Sequence, residues 1–439
     1  MARRATYVPL NVLLNGQQVG VLQRQTNGAI EFQYDAAWLA SSDPMSVSLS
    51  LPLREDRYVG AEVIAVFDNL LPDNDAIRRQ IASSVRAEGS DAYSLLSAIG
   101  RDCVGALQFI PEGETASTTD DIAGEKLSDA EIATIIKNLA QSPLGLSEDG
   151  DFRISLAGAQ EKTALLYLNG AWLRPKGATP TTHIIKPQIG KRGEIDLSQS
   201  VENEHFCLAV LRALDLPAAK TTILDFEDVR VLSVERFDRE WTKDGRLLRL
   251  PQEDFCQALG VAPTKKYETD GGPGIVDALQ LLKASDDPKA DQDLFLRAVF
   301  AFWLLGATDG HAKNFSIRLF SGDRFHMAPL YDVMSVQPVV DAKQLPWNKY
   351  KLAMAAGKSR HYGVNRLVPR HFVETAQASA IAPDRAKDLF EDVRARIGAA
   401  LDKARAELPA DFPGALADAI DKGARKRAEL KIEEAPATA

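Results

Sequence analysis

Apolar and polar positions alternate along the first 35 residues, the period of half-buried strands rather than of a helix. Asn11-Val-Leu-Leu14 and Gln18-Val-Gly-Val-Leu22 flank Asn15-Gly16, a pair suited to a two-residue hairpin turn because it tolerates positive φ. A second pair, Asn27-Gly28, precedes the strand-like Ile30-Glu-Phe-Gln-Tyr34. The spacing then lengthens to that of amphipathic helices over 62–71 and 75–85. Residues 112–124 are polar and turn-rich, which predicts a surface loop. Ser128-Asp-Ala-Glu131 predicts a capping box at the head of a helix running through Leu139.

The pattern changes after the acidic loop 147–151. Residues 163–168, Asn169-Gly170 and Trp172-Leu173 predict a hairpin, and 181–186 a strand stopped by Pro187. Ser200 is expected to cap an amphipathic helix reaching about Leu214, and 229–234 form a strand. From Gln252 onward the period is mostly helical, apart from a hairpin of 316–320 and 325–329 turning at Ser321-Gly322-Asp323. No internal repeat is visible, and the charged, then Ala/Pro/Thr-rich chain past Gly423 is expected to fray. The expected fold class is α+β. Its parts are a β-rich subdomain with helices over 1–150, further strands over 151–237, a helical part over 238–422 and a disordered tail over 423–439.

Composition narrows the function classes. A chain of 439 residues, 45% hydrophobic and 26% charged, is that of a globular protein with more than one core. Its longest nearly unbroken apolar run, 298–307, falls well short of the roughly 20 residues of a membrane span. Met1-Ala-Arg-Arg is basic but leads into the first hairpin rather than an apolar signal segment. Cys103, Cys207 and Cys256 offer neither a disulfide framework nor metal spacing, so a reducing cytoplasm is expected. The net charge of −9 excludes nucleic-acid binding by bulk electrostatics. One run opposes that balance. Lys349, Lys351, Lys358, Arg360, Arg366 and Arg370 follow one another with no acidic residue among them, as a solvated face or a seat for a phosphate-rich or acidic partner.

The segment Gly306-Ala-Thr-Asp309-Gly-His311-Ala-Lys313-Asn314-Phe315, followed by Leu330-Tyr331-Asp332, carries the most chemistry. An Asp, an Asn five residues on, and an Asp 18 residues after that bracket the predicted hairpin. That order suits a protein-kinase-like site, in which one Asp aligns or deprotonates a hydroxyl and the Asn and later Asp hold Mg²⁺ on ATP. The same residues also suit an ordinary polar loop. Upstream, Ser155-Leu-Ala-Gly158-Ala-Gln-Glu-Lys162 joins two predicted strands, with small residues at Ala157, Gly158 and Ala159 that let backbone N–H groups approach a polyphosphate. It is neither a dinucleotide fingerprint nor a Walker loop. Lys186, ending a strand 24 residues after Lys162, is placed to reach a phosphate, and Glu202 or Glu204 on the next helix to pair with it. Glu235, Arg236 and Phe237 leave a strand as a hinge would, with Asp238 within reach of a ribose. Together these make a bilobal kinase layout, strands feeding helices.

Seven motifs in this order resemble the HipA toxin kinases of bacterial type II toxin–antitoxin modules. They are Ser155–Lys162, Pro180-Thr-Thr-His-Ile-Ile-Lys186, Val234-Glu-Arg-Phe-Asp238, Arg249-Leu-Pro-Gln-Glu-Asp254, Asp270-Gly-Gly-Pro-Gly274, Ala307–Asn314 and Tyr331-Asp332, and the likeness runs from about Val8 to Asp411. The resemblance implies a serine/threonine kinase that uses Mg-ATP and phosphorylates an aminoacyl-tRNA synthetase, such as glutamyl-tRNA synthetase, to arrest growth. It implies Asp309 as the catalytic Asp and Asn314 and Asp332 as Mg²⁺ ligands. Nucleotide contacts are implied for Ala157, Gly158, Ala159, Gln160, Glu161, Lys162, Lys186, Glu235, Arg236, Phe237, His311, Lys313 and Tyr331. Ser155 matches a serine whose autophosphorylation switches the family off. It also implies a helix-turn-helix antitoxin, HipB, and autorepression on operator DNA. There this chain departs from the pattern, since 373–381, after Pro369-Arg-His-Phe372, has no Lys or Arg; DNA contact is expected mainly through the antitoxin. A co-repressor with an incidental site and a kinase-like AMP transferase are the alternatives.

Overall fold

A computed structural model describes residues 7–114, 122–146 and 152–431. The acidic loop 147–151, most of the predicted loop 112–124, the basic N-terminal residues and 432–439 lie outside the described residues. The chain divides into two compact units. Unit one comprises Met1–Pro187, Leu224–Thr264 and Ile317–Phe325, and unit two Gln188–Ile223, Lys265–Ser316 and His326–Ala439.

Unit one contains a five-stranded sheet and most of a six-stranded one, besides smaller strand pairings. The first contains β1 (Leu10–Leu14), β2 (Gln17–Arg24), β3 (Ile30–Tyr34), β4 (Tyr58–Val59) and β5 (Leu107–Pro111), in the order β4-β3-β2-β1-β5. Asn15 and Gly16 turn β1 into β2 with φ of 47° and 84°, as the Asn-Gly pair requires. Alternate residues of these strands, among them Leu10, Val12, Leu22, Phe32 and Tyr34, enter a core completed by Phe67, Leu95, Leu96 and Phe109. The second sheet contains β6 (Gly124–Lys126), β7 (Thr163–Leu168), β8 (Ala171–Pro175), β9 (His183–Pro187), β12 (Thr221–Phe226) and β13 (Val229–Glu235). Between β9 and β12 in sequence, β10 (Gly190–Arg192) and β11 (Ile195–Leu197) form a ribbon in unit two. The second sheet runs β12-β13-β9-β7-β8-β6, with Lys186 of β9 opposite Leu232 of β13. The helix Asp129–Lys137 covers part of it, headed by the predicted box of Ser128 and Glu131.

Two pieces of charge chemistry are buried in unit one. Asp102 is 2% exposed and accepts from Arg239 at 2.9 Å and Arg249 at 2.8 Å through Oδ1, and from Thr181 Oγ1 at 2.8 Å through Oδ2. Arg236 lies 3.4 Å from that second oxygen and also grips Asp238, at 3.0 and 2.8 Å. Burial pushes the Asp102 carboxyl up, but Arg239, Arg249 and Arg236 overrule it and hold it well below the carboxylate range. The second piece is Glu253, which accepts from Leu49 N–H at 2.9 Å; burial pushes its carboxyl up to about 8.

Unit two is mainly helical. Its core stacks Phe300 on Phe390 at 4.8 Å, with Trp303 and Phe372 alongside, so the helices Pro288–Leu305, Pro369–Ala378 and Pro383–Ala406 share one aromatic seam. Three expectations are corrected. Ser200 does not cap its helix: the cap is Gln199, and the Ser200 hydroxyl instead donates to Gln188 Oε1 and accepts from Ile189 N–H. The chain does not fray at Gly423, because the helix Gly414–Ala428 continues through it with Gly423 and Ala424 buried. The basic run is not helical either; Lys351–Ala356 and His361–Gly363 pair as a hairpin, with Lys349, Lys351, Lys358 and Arg366 exposed and Arg360 bound to Glu268.

Replacing Asp102 by Asn leaves three buried guanidiniums with one carboxylate, and is expected to destabilise unit one by about 3–5 kcal/mol in urea unfolding. Glu253 carries the opposite pH signature. Its folded value of about 8 lies above its ordinary 4.5, so the folded state holds the proton longer and stability declines as pH rises across that window. Glu253→Gln keeps an acceptor for Leu49. It is expected to flatten the decline and to exceed the wild type at pH 8 by on the order of 1–3 kcal/mol in the same assay.

Candidate active site

In unit two the helix Pro288–Leu305 ends at Gly306, whose φ is 68°. A Cβ there would lie 2.1 Å from the Tyr350 hydroxyl oxygen, so both conformation and space demand glycine. Past this turn Ala307 bridges Ser335, Gly306 O accepts from Val336 N–H at 3.0 Å, and Thr308 O from Ala353 N–H at 2.9 Å. Asp309 emerges exposed from this held backbone, whereas His311, Lys313 and Asn314 are buried.

The Asp309 carbonyl accepts from His311 N–H at 2.8 Å and from Asn314 Nδ2 at 2.6 Å. Because the amide nitrogen is committed, Oδ1 is the end that Asn314 presents to a cation. The Tyr331 hydroxyl donates to Lys313 O at 2.7 Å and lies 2.6 Å from Ser316 Oγ, which ties the segment carrying Asp332 to the one carrying Asn314. Asp332 has a φ of 58°, a left-handed conformation costing a non-glycine residue about 1–3 kcal/mol and kept where neighbours over-determine it. The donor set is one amide oxygen and one carboxylate. Oxygen donors in that number fit a hard cation such as Mg²⁺, which completes its shell with water and phosphate. Among the described residues no group of three or more His, Cys, Asp or Glu is arranged to hold a metal.

In unit one the Ser155 hydroxyl is fully buried and donates to Leu70 O at 2.7 Å, while its N–H donates to Asp102 O at 3.0 Å. The chain turns at Gly158 with φ 99°, and Lys162 Nζ donates to Ala157 O at 2.6 Å, closing the loop on itself. Gln160 Nε2 donates to Pro187 O at 3.3 Å, linking the loop to the strand that carries Lys186. Ala159 and Glu161 are exposed, and Lys186 is 7% exposed within the sheet.

The hinge differs from expectation at Asp238. Its carboxylate is 5% exposed and taken up by Arg236, Arg239 and the Gly105 N–H, the last at 2.8 Å, so it is a structural anion rather than a ribose acceptor. The Arg236 side chain belongs to the same cluster, and its N–H donates to Thr182 O at 2.9 Å; Phe237 O accepts from Arg318. Glu235 is exposed at the end of β13. In unit two Glu202 accepts from Gln188 Nε2 at 2.7 Å, and Glu204 is buried on the same helix.

Two elements escaped the sequence reading. Asp102 lies in no recognised motif, and nothing local marks it as the partner of arginines more than 130 positions away. Tyr267 donates its hydroxyl to Asp309 Oδ1 at 2.8 Å, and its only sequence signal is proximity to the Asp270-Gly-Gly-Pro-Gly274 run.

Comparison with known proteins bears on these parts. Residues 154–401 match the model of a HipA-like C-terminal domain, and 10–110 that of a HipA N-terminal domain. The chain is 35% identical over 353 residues to Y4mE of Sinorhizobium fredii, provisionally named a kinase, covering 80% of this chain and 81% of that one. It is 29% identical over 337 residues to the serine/threonine-protein kinase toxin HipA of Shewanella oneidensis, covering 73% and 72%. The solved complex of Shewanella oneidensis HipA with HipB and operator DNA superposes with a TM-score of 0.80 at 24% identity over 96% of both chains, which establishes a shared α+β, kinase-like fold.

Gly158→Ala would place an L side chain at φ 99° and a Cβ 2.7 Å from Lys162 Nζ. It is expected to displace that ammonium and to lower stability by about 1–2 kcal/mol, read from the urea midpoint.

Proposed function

This chain belongs to the HipA family of serine/threonine kinases, and on that footing we propose that it transfers the γ-phosphoryl group of ATP to a hydroxyl of a translation protein. The acceptor class favoured is an aminoacyl-tRNA synthetase such as glutamyl-tRNA synthetase, whose loss of activity would arrest growth and favour persistence. The observation that carries the reading is the arrangement at Asp309: an exposed carboxylate on rigidly held backbone, with Asn314 oriented by the Asp309 carbonyl and tied to the strained Asp332 segment.

In this reading Asp309 aligns the acceptor hydroxyl and takes its proton, a positioning task that accounts for most of phosphoryl-transfer catalysis. Asn314 Oδ1 and the Asp332 carboxylate hold Mg²⁺, which when bound neutralises charge on the phosphates. The loop Ala157, Gly158, Ala159, Gln160, Glu161 and Lys162 cradles the phosphates through N–H groups and the Lys162 ammonium, and Lys186 adds a second cation. Glu235 and Phe237 offer backbone groups to the base, while Arg236 acts through the backbone it anchors. His311, Lys313 and Tyr331 hold the Asp309 and Asp332 segments through the His311 N–H, the Lys313 carbonyl and the Tyr331 hydroxyl.

Ser155 is the proposed off-switch by autophosphorylation. A HipB-like antitoxin is the proposed partner, supported by the Shewanella complex of HipA, HipB and operator DNA. DNA contact would come mainly through that partner, because the helix Pro369–Ala378 turns Val373, Thr375 and Ala376 inward and 373–381 carries no Lys or Arg. Action in the cytoplasm fits three buried cysteines that form no disulfide and the absence of a membrane-length apolar helix among the described residues.

Intact mass after incubation with Mg-ATP tests the chemistry. The wild type is expected to gain one phosphate, and Asp309→Asn, Asp332→Asn and Ser155→Ala none; chelating the metal should abolish the gain. An AMP-sized increment would convert the reading to adenylyl transfer, and an unchanged wild-type mass would leave only a binding role with the antitoxin.

A further inference from the structure

We propose that Tyr267 is a positioning residue for Asp309, its hydroxyl holding one carboxylate oxygen so that the other faces the acceptor. The inference rests on the kinase reading above and adds a residue to it. Tyr267 donates to Asp309 Oδ1 at 2.8 Å, and its ring stands edge-on to His311, 4.8 Å between centroids at 86°. The Tyr267 hydroxyl narrows the rotamers open to the exposed Asp309 side chain. The His311 ring, itself buried, limits how far the phenol can swing.

The loop carrying Tyr267 is held on both sides. Lys266 O accepts from Ala312 N–H at 3.3 Å, within the turn that bears Asn314. Glu268 accepts from Ala355 N–H at 2.5 Å and from the Arg360 guanidinium at 2.9 Å. Tyr267 O accepts from Gly272 N–H at 3.0 Å, and a Cβ on Gly272 would lie 1.8 Å from Lys265 O. The tight closure needs glycine there, and Gly271 beside it has a φ of 83°. The Asp270-Gly-Gly-Pro-Gly274 run, which the nucleotide assignment leaves without a task, thus makes the loop that aims Tyr267. A plug that merely occupied the acceptor's place would need a segment free to withdraw. This one is pinned by Ala312, Ala355 and Arg360.

During transfer the acceptor O–H gives its proton to Asp309 Oδ2. Its oxygen bonds to the γ-phosphorus as the bond to the β,γ-bridging oxygen breaks, and ADP leaves with that electron pair. Tyr267 exchanges no proton in this step; it fixes the direction from which Oδ2 meets the acceptor.

The test compares the full-length wild type with Tyr267→Phe, which keeps the ring against His311. Phosphate incorporation into the chain's own Ser155 is followed by intact mass over time and over ATP concentration, with melting temperature as the control for folding. The expected result is a fall of about tenfold to a hundredfold in the rate at saturating ATP, with the half-saturating ATP concentration and the melting temperature unchanged. An equal or faster rate in the variant overturns the proposal, a faster one marking Tyr267 as a plug. A rate loss accompanied by an equal rise in half-saturating ATP would place Tyr267 in nucleotide binding and also overturn it. If the wild type itself gains no phosphate, the kinase reading fails first, so the two failures are distinguishable.

Discussion

A carboxylate removed from water must be surrounded by donors, and Asp102 organises unit one by that requirement. Its side chain gathers Arg236, Arg239, Arg249 and Thr181, and its carbonyl takes the Ser155 N–H. The end of β13, the hairpin of Arg239–Trp241 and Leu247–Arg249 after it, the entry to β9 and the base of the 155–162 loop are therefore held by one residue. Two carboxylates among three guanidiniums leave an excess of one positive charge, and the geometry spreads it through donations to the carbonyls of Cys103, Gly105 and Ala178. Burial lowers the Arg239 value to about 10 and the neighbouring Arg236 adds to that, yet the ion remains charged at neutral pH. Such a network is weak evidence of net stability, because desolvation opposes attraction. Its effect is to fix which segments meet.

Unit two solves the corresponding problem with backbone. Gly306 turns the chain where no side chain fits, and bonds to Val336 and Ala353 flank the turn. Asp309 is exposed on backbone whose flanking residues those bonds hold. Its carbonyl, rather than its carboxylate, orients Asn314, so the proposed base and the proposed metal ligand are positioned through one peptide group without competing for the same oxygen atoms.

Much of this was legible in the sequence. The Asn-Gly turns, the Ser128 capping box and the hairpin after Phe315 follow local rules, and local rules survive folding. The turn after Gly306 and the hairpin after Phe315 set the short separations between Asp309, Asn314 and Asp332. Misses share a physical origin. Ser200 has the residue type of a cap, but Gln188, brought up by tertiary packing, claimed its hydroxyl. Gly423 and Ala424 look like the start of a fraying tail, yet their small size lets a helix pack closely against Gln337. Asp238 sits where a ribose acceptor would be expected, and only the three-dimensional arrangement shows it spent on arginines. Tyr267 and Asp309 are 42 positions apart, with no period to connect them.

Ser155 shows how burial sharpens an argument that charge alone leaves loose. From sequence, a phosphate on that serine repels the phosphates of ATP. In the fold its hydroxyl is a donor, directed at the Leu70 carbonyl in a site without water access. A phosphate monoester of charge about −1.5 to −2 offers oxygens that are mostly acceptors, so the contact turns from a hydrogen bond into repulsion between oxygens. The Ser155 segment must leave its seat to be modified, and it cannot return while the phosphate stays. Because Ser155 N–H is also tied to Asp102, departure loosens the base of the loop that Gly158 and Lys162 shape. The proposed switch would thus act by removing the proposed phosphate cradle, and ATP repulsion would only add to an exclusion that hydrogen-bond polarity has already imposed.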